Sequence, residues 1–153
     1  MLTKTFTLAF GGGCHWCTEA MFQNAEAARE VLQGFAAGPA PYDALSEAVL
    51  LTCDAADLPR LVELHLATHA SRSNHSFRGK YRSAVYADGD AAETARSILE
   101  AATPKPVTLV VPLVRFEPSP ERYRDYYAKR PGAPFCRTYI APKLEAAGLI
   151  TNG

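Results

Sequence analysis

Residues Gly11-Gly12-Gly13-Cys14-His15-Trp16-Cys17-Thr18-Glu19-Ala20 carry the clearest chemistry in the chain. An alternating segment, Leu2 to Phe10, precedes them, and residues of helical character follow. A cysteine at such a junction faces the unpartnered N–H groups of the first helical turn and the positive end of the helix dipole. Both favour thiolate over thiol, so Cys14 reads as a nucleophile. Three glycines before it allow a tight turn and leave the sulfur open to a substrate. Cys17 lies three residues on, the spacing of redox dithiols, so a disulfide with Cys14 is within reach.

Two other kinds of chemistry use the same residues. Cys14, His15 and Cys17 with His65, His69 and His75 offer thiolate and imidazole to zinc or copper, although the second half lacks a paired spacing. Cys14-His15-Trp16-Cys17 could also act as a dithiol on protein disulfides. That reading leaves Glu47 and Tyr81 without a task.

The elements that would position these residues alternate between strand and helix. Leu2–Phe10 reads as a strand with Phe6, Leu8 and Phe10 on one face. Cys17 to Leu32 reads as a helix ended by Gln33-Gly34, followed by a Gly/Pro/Ala-rich loop through Ala44 that carries Tyr42. Glu47–Cys53 is an apolar strand opened by one acid. Asp57 to about Thr68 is a helix with Pro59 in its first turn. His69 to Gly79 is irregular, Tyr81–Tyr86 a strand, Asp90 to Ala101 a helix and Val107–Phe116 a strand. Pro120 to Ala128 reads as a short helix, and Thr138 to Ala147 as a last short element. Strands joined through helices indicate an α/β (α+β) sandwich around a mixed sheet, with a parallel or split βαβ start. The 153 residues form one expected domain, 1–153.

Composition narrows the partners. Sixteen basic and sixteen acidic residues cancel, and the basic ones are scattered, which argues against a nucleic-acid surface. No stretch reaches membrane-spanning length, and the N-terminal segment alternates rather than forming a signal-peptide core. The expected location is the cytoplasm. There a Cys-x-x-Cys is catalytic or metal-binding more often than structural. Cys53, at the end of an apolar run, reads as a small buried residue.

The motif resembles the G-C-F-W-x-x-E signature of A-type peptide methionine sulfoxide reductases. Gly13, Cys14, Trp16 and Glu19 match, while His15 replaces phenylalanine. Gly34-Phe35-Ala36-Ala37-Gly38 is similar to the family's G-Y-A-G-G turn, Pro41-Tyr42 to its P-x-Y element, and Ser46-Glu47-Ala48-Val49 to its H-A-E-x-V strand. Tyr81-Arg82-Ser83 is similar to Q-Y-R-S, and Arg130 to Leu144 to the family tail. The resemblance implies a two-layer plait (ferredoxin-like) sandwich and a thiol-dependent reduction of methionine S-sulfoxide, free or in protein. Cys14 would attack sulfur, Glu47 would supply a proton, Tyr42 and Tyr81 would hold the sulfoxide oxygen, and Trp16 would wall the methyl group.

The product would be methionine and a Cys14 sulfenic acid, resolved as a disulfide with Cys17 or Cys136, or by an external thiol. Thioredoxin or another dithiol would then reduce it, with no bound cofactor or metal. The family's active-site aspartate falls on Ser76 here. His15, His75 and Ser76 would therefore shape the substrate pocket toward a more polar sulfoxide.

Overall fold

The computed structural model describes residues 4–12, 15–67, 82–102 and 108–149, with the backbone alone at His15. Its strands are β1 (Thr5–Gly11), β2 (Arg29–Ala37), β3 (Ser46–Asp54), β4 (Ala84–Tyr86), β5 (Leu109–Val111) and β6 (Arg115–Pro118). Its helices are α1 (His15–Gln23), α2 (Leu58–Ala67), α3 (Gly89–Ala101), α4 (Tyr126–Lys129) and α5 (Ala141–Ala146), with a π-helical turn at Cys136–Ile140 leading into α5. The strands form one sheet in the order β5-β4-β1-β3-β2-β6. All ladders are antiparallel except β4 with β5. Because β3 is antiparallel to both β1 and β2, the β1–α1–β2 unit is a split βαβ. The βαβ start expected of strands 2–10 and 47–53 is not formed by that pair, which are antiparallel neighbours, because residues 29–37 supply the second parallel strand. The sheet is mixed and the fold is the expected plait-type sandwich.

Sheet alternation assigns the two faces. Phe6, Leu8 and Phe10 of β1, with Val49, Leu51 and Cys53 of β3, point to one side. Ala20, Met21 and Phe22 of α1, Leu58, Leu61 and Leu64 of α2, Ala91 and Ala95 of α3, and Ile140 and Leu144 of the tail cover them. The other side carries Ala9, Ala36, Ala48, Ala84, Tyr86 and Val111. Its alanines allow tight curvature. Only Pro112 to Val114 separate the edge strands β5 and β6. Five strand spacings would span about 24 Å in a flat sheet, beyond the roughly 15 Å reach of four Cα steps. The sheet therefore curls around the alanine-rich side, bringing Val111 against Gly38, where an added Cβ would meet Val111 Cγ1 at 2.1 Å.

Several expected boundaries shift. The helix expected to run to Leu32 stops at Gln23, and Asn24 Nδ2 caps it by donating to Ala20 O at 2.8 Å. Residues 29–37 are instead a strand between β3 and β6. Alanine, glutamate and arginine favour helix locally, but pairing on both edges overrides that preference. Gly34 is not a helix stop: a Cβ there would lie 2.3 Å from Glu117 O of β6, so its lack of a side chain permits the strand pairing. The single strand expected over 107–116 is two, split where Pro112 interrupts. The helix expected over 120–128 is a 3-10 turn at Glu121–Tyr123 followed by α4.

Candidate active site

β1 ends at Gly11 and α1 begins at His15, so the junction that holds Cys14 has the predicted strand-to-helix form. Cys14, Tyr81, His75 and Ser76 lie outside the described residues, as do His69 and the His15 side chain. The segments next to Cys14 and Tyr81 are described, and they meet at Gly11. Gly11 pairs with Ala48 on β3 and Ala84 on β4. A Cβ added to Gly11 would lie 2.9 Å from Glu47 O, 3.1 Å from Arg82 O and 3.4 Å from the Tyr86 ring. The chain entering Gly12-Gly13-Cys14 thus passes between the backbone of Glu47 and that of Arg82, the residue after Tyr81. Gly11→Ala is expected to push β3 and β4 apart at this point. It should cost about 1–3 kcal/mol of stability, read by chemical denaturation, and lower turnover more than a comparable substitution elsewhere on β1.

Glu47 is 7% exposed and shares the helix-side face of β3 with Val49 and Leu51. It lies opposite Phe35 in the β2–β3 ladder. Tyr42 is half-buried against the alanine-rich side, its ring 5.7 Å from the Arg82 guanidinium. Arg82 fixes this corner. Its Nη1 donates to Tyr86 Oη at 3.0 Å, its Nη2 to Ala44 O at 2.9 Å and its backbone N–H to Ser46 Oγ at 2.8 Å. Tyr86 is fully buried, and that burial pushes its phenol up despite the neighbouring guanidinium. Glu47 and Tyr42 therefore belong to opposite sides of the sheet at its Gly11 end.

Trp16 is half-buried on the first turn of α1. The Tyr126 ring stacks on it at 4.4 Å and 9°, and Phe135 meets it edge-on at 5.6 Å. Cys17 is half-buried on the same turn, whereas Cys136 is fully buried in the main core with Ile140 and Leu144. Burial pushes the Cys136 thiol pKa up. Cys53 is buried as expected, its thiol pushed up to about 11 chiefly by burial, with Asp57 adding to the effect. No disulfide joins Cys17, Cys53 and Cys136. His65, counted above among the imidazoles that could serve a metal, is buried, its ring 5.4 Å from that of Phe10 and its Nε2 3.5 Å from Thr108 Oγ1.

Glu19, a motif residue to which the sequence assigned no task, is 1% exposed. Its carboxyl accepts from Asp125 N at 2.8 Å, Tyr126 N at 3.3 Å and Gln33 Nε2 at 3.1 Å. Burial raises its pKa above the ordinary value, while the two backbone donors oppose that rise. A glutamate four residues into a helix with apolar neighbours was the available signal. Only the fold reveals its partners, because two of the three, Asp125 and Tyr126, lie more than one hundred residues away in the tail and Gln33 is on β2.

Residues 6–149 match the family model described as peptide methionine sulfoxide reductase, and the chain belongs to that family. Among its relatives, a peptide methionine sulfoxide reductase MsrA of Thermus thermophilus is 33% identical over 157 residues, spanning 89% of each chain. The fold is shared with Mxr1 from Saccharomyces cerevisiae in its reduced form, with a TM-score of 0.75 at 21% identity over 89% of this chain and 91% of that one. It is shared too with Mxr1 in complex with Trx2, with a TM-score of 0.61 at 20% identity over 78% and 84%.

Proposed function

We propose that this protein reduces methionine S-sulfoxide, free or within a polypeptide, with Cys14 as nucleophile. The observation that carries the reading is the convergence at Gly11 of the Cys14 junction, the Glu47 strand and the strand start that follows Tyr81. The Cys14 thiolate attacks the sulfoxide sulfur. Glu47 supplies a proton to the oxygen and the Tyr81 hydroxyl holds it, whereas Tyr42, packed against the other side of the sheet, joins them only by reaching around its Gly11 end. The new bond between the two sulfurs then breaks as oxygen passes to the Cys14 sulfur; the substrate's sulfur–oxygen bond is lost, methionine leaves and Cys14 is left as the sulfenic acid. The substrate sulfur gains two electrons and the cysteine sulfur loses two. Trp16 presents an apolar wall to the S-methyl group. His15, His75 and Ser76 make the surrounding pocket more polar than the family pattern.

Cys17 is the resolving thiol in this reading. It is half-exposed and three residues after Cys14 in the sequence, while Cys136 is sealed in the core with a raised pKa. Its attack on the sulfenic acid forms a disulfide and releases water. A thioredoxin-like dithiol then reduces the disulfide; in this reading the protein works in a reducing compartment, the cytoplasm, and uses no bound cofactor. Cys17→Ser is expected to release one equivalent of methionine per chain with thioredoxin as reductant and to accumulate dimedone-reactive sulfenic acid. Sustained thioredoxin-driven turnover would instead assign resolution to Cys136 or an external thiol. The central test is a turnover screen in dithiothreitol against free and peptide methionine S-sulfoxides, their R epimers and other small sulfoxides. Reduction confined to the R epimer would overturn the proposal.

A further inference from the structure

Tyr42 and Glu47 stand on opposite sides of the sheet, so a reaction that uses both needs a tie between those sides at the Gly11 end. Arg82 is placed to be that tie. Its carbonyl borders Gly11, where an added Cβ would meet it at 3.1 Å. Its backbone N–H donates to the hydroxyl of Ser46, the residue before Glu47, at 2.8 Å. Its side chain reaches the alanine-rich side, where Nη1 donates to Tyr86 Oη at 3.0 Å and Nη2 to Ala44 O at 2.9 Å. The guanidinium lies 5.7 Å from the centre of the Tyr42 ring. Tyr42 closes a turn: its N–H donates to Pro39 O at 2.8 Å and its carbonyl accepts from Gly38 N at 2.9 Å. The next two residues, Asp43 and Ala44, are exposed, and β3 begins at Ser46. The Nη2 bond to Ala44 O thus fastens an exposed link between the phenol and the strand that carries the acid.

Arg82 is 7% exposed, and among the described residues its side chain meets a phenol, a carbonyl and an aromatic face rather than a carboxylate. Burying a cation without a counter-ion is costly, so packing alone gives no reason for an arginine here. We propose that Arg82 is a positioning residue for the sulfoxide oxygen: its guanidinium holds the Tyr42–Ala44 loop and so sets where the Tyr42 hydroxyl reaches around the Gly11 end. The inference rests on the reading that Tyr42 helps to hold that oxygen. A guanidinium can bond Tyr86 and Ala44 and face the Tyr42 ring at once, because its donors form a rigid planar fork. A lysine ammonium keeps the charge but is a single point on a flexible stem, so it cannot reproduce the three contacts together.

The experiment measures kcat/KM for an N-acetylated methionine S-sulfoxide amide in dithiothreitol. It adds the melting temperature and the rate at which iodoacetamide alkylates Cys14, followed by peptide mass spectrometry. Tyr42→Phe is expected to lower kcat/KM by about tenfold, the worth of one hydrogen bond to the substrate oxygen. Arg82→Lys and Arg82→Met should each lower it by a similar factor. Alkylation of Cys14 involves no sulfoxide oxygen and should change by less than about twofold in both. Arg82→Lys should melt within about 4 °C of the wild type, so its lost activity is not lost folding. Combined with Tyr42→Phe, either Arg82 change should add less than about twofold, because the phenol it places is already gone. Multiplied losses, wild-type kcat/KM in Arg82→Lys, or alkylation that falls in step with turnover would overturn the proposal. If Arg82→Met does not fold, the Arg82→Lys cycle decides. Loss in both Arg82 variants beside a Tyr42→Phe variant of wild-type kcat/KM would instead overturn the role of Tyr42 in the proposed reaction, and this inference with it.

Discussion

A Cys14→Ser variant is expected to fold normally and to reduce methionine S-sulfoxide at least about 10⁴-fold more slowly than the wild type, because the bond-forming atom is gone. Serine is nearly isosteric, but its hydroxyl is far less ionised than a thiol at neutral pH and cannot carry oxygen away as a sulfenic acid. The variant should give no dimedone adduct at position 14 and should keep the far-UV circular dichroism and melting temperature of the parent. Rapid-quench assays in dithiothreitol make the comparison clean, since recycling is then not limiting. Residual turnover near the wild-type level would mean that another cysteine performs the attack. Cys17 would then be the one to test, because Cys53 and Cys136 are sealed in the core with raised thiol pKa values.

Glu47→Gln carries the second large effect. The side chain is 7% exposed on the helix-side face of β3, and its backbone oxygen borders the Gly11 position through which the Cys14 loop is reached. Glutamine preserves volume and burial but has no acidic proton to deliver to the departing oxygen. The single-turnover rate of methionine formation should fall by about 10²–10⁴, the range typical of a lost general acid. Thermal stability should change little, since an amide fills the same space. A variant that reacts at the wild-type rate would remove Glu47 from the mechanism and leave the phenol of Tyr42 or Tyr81 as the proton source. If Gly11→Ala slows the same step, the two results together would show that the spacing of β3 from the nucleophile loop matters as well as the acid.

The sequence determined the elements whose signal is local. The alternation of Phe6, Leu8 and Phe10 marks β1, Pro59 in a first turn marks α2, and the glycine run before Cys14 marks a strand-to-helix junction; the structure contains all three. The motif matches also located the acid of β3 and the tryptophan of α1. Local signals failed where neighbours far along the chain decide the conformation. Residues 29–37 have helix-forming composition and lack alternation because the strand is packed between β3 and β6, so pairing rather than periodicity sets its state. The break in the expected 107–116 strand reflects the curl of the sheet, which the alanines on its second face permit and which no short window of sequence can report.

The site divides along the same line. The residues proposed as nucleophile, acid and apolar wall stand out in the sequence because chemistry restricts such roles to few residue types, with Cys14 and Trp16 in one motif and Glu47 at the start of an apolar run. The tertiary structure alone decided that Glu47 and Tyr42 lie on opposite sides of the sheet. It alone buried Cys136 and His65 and brought Glu19 to Asp125 and Tyr126 of the tail. A side chain's partners depend on loop closures across most of the chain. Helix and strand signals arise within a few residues and carry no record of those closures.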